Sequence, residues 1–230
     1  MNYIPILSAL IPALVLLVYI YWRDRKSPEP IWQLIKATAL GVLSIPLTYI
    51  LLGPLISMDL IPNEAYTFVD AIKISFLGAA IPEELAKLLI LWIFLHRNPH
   101  FDERMDGIVY AVCVSLGFAG LENIMYIIND TEWMSVALKR AFTAVPGHFC
   151  FGVVMGYFYS LAKFNPTKRH AYSILTLIMP ILIHGIYDTI IYSINIDIRF
   201  DTILMTAFVA FCFLMWNWAS KSIQKHLHNT

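Results

Sequence analysis

Seven stretches of apolar residues, each long enough to cross a lipid bilayer as a helix, fill most of this chain and leave only short polar breaks between them. They run at about 3-22, 31-56, 66-96, 106-128, 135-161, 171-194 and 202-219. A hydrocarbon core about 30 Å thick takes roughly 20 apolar residues per helical crossing. Inside it only backbones that satisfy their own hydrogen bonds persist. The pattern therefore predicts an all-α fold, a polytopic membrane helical bundle of about seven transmembrane helices. Of the 230 residues, 59% are hydrophobic and 14% charged, well outside the range of soluble domains. Residues 1-230 are expected to form a single integral membrane domain, with no length left for a sizeable soluble one.

Several function classes drop out at once. No clustered basic face is present, so no nucleic acid partner is expected. Cys113, Cys150 and Cys212 lie inside apolar runs without metal-ligand spacing and read as small buried hydrophobes. No basic segment precedes residues 4-22, and the basic cluster follows them instead, so this run reads as a retained helix and not as a signal peptide.

Lys and Arg mark the cytoplasmic ends of spans. Arg23, Arg25, Lys26, Arg97, Arg104, Lys163, Lys168, Arg169, Lys221 and Lys225 fall on one side. Lys139, Arg140 and Arg199 fall on the other, among Asp59, Glu64, Asp130, Glu132, Asp197 and Asp201. The chain is thus expected to be multi-pass, with its N-terminus outside and its C-terminus inside.

Ionisable side chains inside spans are costly and usually face a bundle interior, a cavity or a partner. The third run carries Ile81-Pro-Glu-Glu-Leu-Ala-Lys87, the fourth Phe118-Ala-Gly-Leu-Glu-Asn123, the fifth Pro146-Gly-His148, and the sixth His184-Gly-Ile-Tyr-Asp188. Counted inward from the basic ends at the helical rise, Glu83, Glu122, His148 and His184 all fall roughly 20 to 24 Å deep, beyond the midplane toward the outer face.

Imidazole and carboxylate are the ligands of a catalytic divalent metal, zinc above all, which keeps one position for water. Glu122, His148 and His184 could supply such a set, with Asp188, one turn beyond His184, orienting its ring or serving as a further ligand. Glu83 or Glu84 would then take the proton from the attacking water. Asn123 could polarise a substrate carbonyl, and Lys87 could pair with either glutamate. Pro82 and Pro146 each remove a backbone donor and could open the helices to water. The blander alternatives are an ion pair of Glu83 and Glu84 with Lys87 that only fixes packing, and histidines bonded to neighbouring helices. A rival function, a secondary transporter or proton relay, would use the same buried acids and imidazoles, but no paired internal repeat is visible.

In order and spacing, Glu83-Glu84 with Lys87, Phe118 with Glu122-Asn123, His148, and His184 with Asp188 resemble the PrsW family of bacterial intramembrane proteases. These are distant relatives of the CAAX prenyl endopeptidases and Abi-type membrane proteins. The resemblance implies a site-1 protease of the bacterial cytoplasmic (inner) membrane. Such an enzyme cuts a single-span membrane protein, such as an anti-sigma factor, near the outer face. It also implies that Glu83 and Glu84 are catalytic, with Glu122, His148 and His184 the other essential polar groups. Where the CAAX endopeptidases have Phe then His and later His then Asn, this chain has Phe118 then Glu122 and His184 then Asp188. Within the family a metal-free reading, with Glu83 activating water and the histidines holding it, stays open beside the zinc reading.

Overall fold

The computed structural model describes residues 3–128 and 130–227, and among these every regular element is helical. The α-helices are α1 (Ile4–Arg23), α2 (Ile31–Ser57), α3 (Phe68–Lys73), α4 (Ile81–Leu95), α5 (Arg104–Ile127), α6 (Trp133–Phe142), α7 (Ala144–Phe164), α8 (Arg169–Ser193) and α9 (Ile198–Leu227). Six helical stretches are long and apolar enough to cross a membrane: α1, α2, α5, α6 with α7, α8 with the turn before it, and α9. The protein is a multi-pass helical membrane bundle. Its outward faces carry large apolar side chains such as Val18, Ile50, Val209 and Phe213, all well exposed, as a lipid-facing surface requires.

Two of the apolar runs are not single α-helices. Between α3 and α4 the chain adopts a π-helical segment, Ile74–Ala80, so the rod from Phe68 to Leu95 changes register just before the paired glutamates. Pro82 sits in the first turn of α4. It has no N–H for the carbonyl one turn back, which makes that turn a natural place for the wider helix. The run around residue 143 breaks where Thr143 leaves helical geometry (φ −121, ψ −71) between α6 and α7. Here Pro146 denies a donor to Phe142, and a proline in the first turn suits a helix start.

The centre of the bundle is α5. Of its most apolar window 78% is buried, against 17% for α1 and 11% for α9. It packs on α7, α2 and α1. Two glycine contacts set how closely. A Cβ on Gly117 would overlap the Thr38 carbonyl of α2, and one on Gly156 of α7 would overlap the backbone of Gly107 and Ile108. Backbone therefore meets backbone on both sides of α5, as small residues allow in membrane bundles.

Where α1 ends and α2 begins, the turn folds back on the start of α5. Asp24 and Glu29 are both buried there, and the Tyr110 hydroxyl of α5 donates to Glu29 Oε2. Burial pushes the Asp24 carboxyl up to about 7, against the opposing pull of the Glu29 amide. Burial likewise raises Glu29 against the Tyr110 hydroxyl bond.

Candidate active site

The register change at the π segment decides where the acids of α4 point. Glu83 and Glu84 are adjacent on a helix, so their side chains diverge by roughly 100°. Glu84 is directed at α8, where His184 Nδ1 lies 2.9 Å from its Oε1. Glu83 is directed at a cavity of about 420 Å³ that it lines together with Gly78 of the π segment, Phe118 and Glu122 of α5, Tyr49 of α2 and Tyr192 of α8. Tyr49 and Tyr192 are exposed on the outer surface of the bundle, so the cavity opens sideways, toward the lipid face. Close packing of the π segment on α8 depends on Gly185, because a Cβ there would run into the Phe76 ring.

Lys87 closes the gap between the two glutamates. One turn along α4, its Nζ donates to Glu84 Oε1 at 2.8 Å and to Glu83 Oε2 at 3.2 Å. The same nitrogen stands 3.2 Å from His148 Nδ1 and 4.0 Å over the Phe118 ring. An ammonium can only donate, so His148 Nδ1 accepts and its proton sits on Nε2. Nε2 in turn faces Glu122 Oε2 at 2.9 Å. Ser115 Oγ fixes the backbone here by donating to the His148 carbonyl at 2.7 Å.

His184 is clamped on both nitrogens, with Asp188 Oδ2 3.2 Å from Nε2, and Phe151 stacks on its ring at 4.5 Å. The two imidazoles meet edge to face with centroids 5.6 Å apart. Glu83, Glu84, Lys87, Glu122, His148, His184 and Asp188 thus form one linked network across α4, α5, α7 and α8. Donor atoms of Glu83, Glu84 and His148 lie within 4.8 Å of one another, and Glu84 Oε2 is buried without a hydrogen-bond partner.

Asn123 is placed differently from the rest. Its amide nitrogen donates to the Ala9 carbonyl of α1 at 3.1 Å, and its oxygen accepts from Arg140 Nε at 2.6 Å. Being next to Glu122 on one helix, it cannot share that residue's direction. It ties α5 to α1 and α6 and does not face the cavity.

Arg140, which sequence reasoning counted only among the loop charges, belongs to the site's frame. From α6 it donates through Nη2 to Glu122 Oε2 at 2.5 Å while Nε holds Asn123, and its guanidinium lies over Tyr126 at 4.0 Å. It therefore sets the position of the carboxylate that holds His148. Arg140→Met should lower turnover at this site by about 10- to 100-fold, the usual cost of losing a group that orients a site residue. Kinetics with a membrane-embedded reporter would measure this, and an unchanged rate would remove Arg140 from the frame.

The family described as "PrsW family intramembrane metalloprotease" matches residues 29–218 of the chain. Proteins named "Protease PrsW" are similar over most of their lengths. That of Oceanobacillus iheyensis is 36% identical over 227 residues, covering 98% of this chain and 97% of the relative. That of Bacillus subtilis (strain 168) is 35% identical over 189 residues, covering 82% and 83%, and that of Clostridioides difficile (strain 630) is 33% identical over 228 residues, covering 97% and 92%. No solved structure matches significantly.

Proposed function

The chain belongs to the PrsW family of intramembrane metalloproteases and is a membrane-embedded protease; from that premise we propose that it cuts a membrane-anchored protein at a peptide bond admitted to the cavity beside Glu83. A single-span protein such as an anti-sigma factor is the substrate class that suits a lateral opening. The observation that carries this reading is that the cavity meets the polar network at Glu83 and Glu122, with the remaining ionisable groups behind them.

In this reading Glu83 is the general base. Its carboxylate borders the space that a peptide bond and a water would share, and it is held by Lys87 at 3.2 Å. It takes the proton of the attacking water and passes it to the leaving amine. Glu122, fixed by Arg140, keeps the His148 ring in one tautomer, and Asp188 fixes the orientation of the His184 ring. Phe118 and Phe151 wall the histidines with apolar surface, which strengthens every charge interaction inside.

The donor chemistry fits the metal that the family description names. Glu84 and His148, whose donor atoms lie within 4.8 Å of each other, would hold it together with His184, whose Nδ1 is 2.9 Å from Glu84; this is a two-histidine, one-glutamate set of the kind catalytic zinc takes, and Glu84 Oε2 is unpartnered. Glu122 and Asp188, grouped with the ligands on sequence grounds, become the groups that orient the two histidines. When bound, such an ion would make water nucleophilic at neutral pH and polarise the scissile carbonyl. The carboxylates of Glu83, Glu84, Glu122 and Asp188 outnumber the fixed cations Lys87 and Arg140 among the described residues, so added positive charge is favoured there.

The bias of Lys and Arg toward one set of helix ends supports an N-terminus outside and a C-terminus inside, the relatives from Bacillus subtilis and Clostridioides difficile support a bacterial cytoplasmic membrane setting, and the packing of α5 on α7, α2 and α1 supports a single membrane domain. Liposomes carrying the purified chain, zinc and a single-span reporter test the whole reading. Cleavage of the reporter toward the face where α5 ends is the expected result. A chain that leaves the reporter whole while carrying protons across the bilayer would be a transporter instead.

A further inference from the structure

At the opposite end of α5 from the proteolytic network lies a second group of acids that proteolysis does not use. Asp106, in the first turn of α5, is sixteen positions before Glu122, roughly 24 Å along the helix. We propose that Glu29, Asp102 and Asp106 form a separate metal site for a hard divalent cation of the Ca2+ or Mg2+ class.

The three residues place donor oxygens within 4.8 Å of one another, a triangle that admits an ion about 2.4 Å from each oxygen. The scaffold already holds one oxygen of each buried carboxylate. Glu29 Oε2 accepts from Tyr110, while Asp106 Oδ2 accepts from the amides of Asp102 at 3.0 Å and Glu103 at 2.6 Å. That leaves Glu29 Oε1 and Asp106 Oδ1 for a ligand. The Glu29 and Asp106 carboxylates have oxygens within 4.8 Å of each other, and two buried carboxylates this close favour a proton or a cation between them. Asp102 is exposed and gives an ion a way in from solvent.

A second, independent feature points the same way. Asp24, only 2% exposed, approaches the Glu29 amide and the Glu103 carboxylate, and its Oδ2 is sealed from solvent with no hydrogen-bond partner. His100 and Lys163 face the group, and the Lys163 ammonium is committed to the Phe101 carbonyl. All-oxygen ligation without imidazole or thiolate selects a hard ion over zinc. Bound there, the ion would staple the turn between α1 and α2 to the start of α5.

The test uses the full chain in detergent micelles, stripped with EDTA and then titrated with Ca2+ or Mg2+ while thermal unfolding is followed. The expected result is a rise in Tm of roughly 5 °C at saturation. The rise should persist in Glu83→Gln, which lies in the other site, and vanish in Glu29→Gln and Asp106→Asn. Asp102→Asn changes an exposed ligand, so it should fold normally and weaken the cation at least tenfold; it carries the test if the buried variants do not accumulate. No rise with either ion would overturn the proposal in favour of a shared proton, and so would a rise that Asp102→Asn leaves unchanged.

Discussion

Glu83→Gln should lower kcat/KM for a membrane-embedded substrate by about 10²- to 10⁴-fold, the range that loss of a positioned general base usually costs, while the protein still inserts and accumulates. The amide keeps the shape of the side chain and can still accept from Lys87, so the network around it has little reason to rearrange. The ammonium also keeps its shorter bond, 2.8 Å to Glu84, so its main counter-charge survives. What disappears is the one basic oxygen pair of α4 that borders the cavity. Cleavage and thermal unfolding should be measured on the same preparation. Undiminished cleavage would end the role given to Glu83, and loss of folding together with cleavage would make it a structural residue.

Removal of the Lys87 charge has the largest expected effect on stability. Lys87 is 1% exposed and bridges Glu83, Glu84 and His148. Met fills much the same volume without the charge, leaving two buried carboxylates and an imidazole nitrogen facing an apolar methyl. Breaking a buried ion pair in this way costs about 3–5 kcal/mol, or roughly 10 °C in Tm for a chain of this size. Because a divalent ion on Glu84, His148 and His184 would supply the missing positive charge, zinc should recover at least half of that loss in Lys87→Met and add much less to the parent chain. Equal stabilisation of both by zinc would show that ion and ammonium do not substitute for one another. A variant as stable as its parent without metal would show that the ammonium is not the counter-charge of these acids.

The helical membrane class was legible because the lipid imposes it: long apolar runs with short polar breaks have no other use at this length. The candidate network was partly legible for the same reason, since ionisable groups in apolar runs stand out from their background. Direction was harder to read. Glu122 and Asn123 look equivalent as neighbours in a motif, yet the helical angle between them sends one to His148 and the other to Ala9. That divergence follows from 3.6 residues per turn and was available from the sequence alone. Arg140 was missed because it stands near a run end among loop-like charges, and only the break at Thr143 turns α6 so that it meets Glu122. Pro146 was the signal for that break. The π segment left no mark in the pattern of apolar residues, because one extra residue in a turn does not disturb a run that is apolar on every side; Pro82 was its single trace.

That wider turn separates the candidate site into two halves whose helices are held differently. Backbone contacts at Gly117 and Gly156 grip α5 from two sides, so Glu122 cannot slide or roll. The rod bearing Glu83 and Glu84 instead hangs on seven residues wound one step looser than an ordinary helix. Tightening them to normal winding would roll both glutamates about the axis by roughly 100°, carrying one out of the cavity and the other away from His184. The winding of those seven residues therefore decides which glutamate borders the cavity and which meets His184.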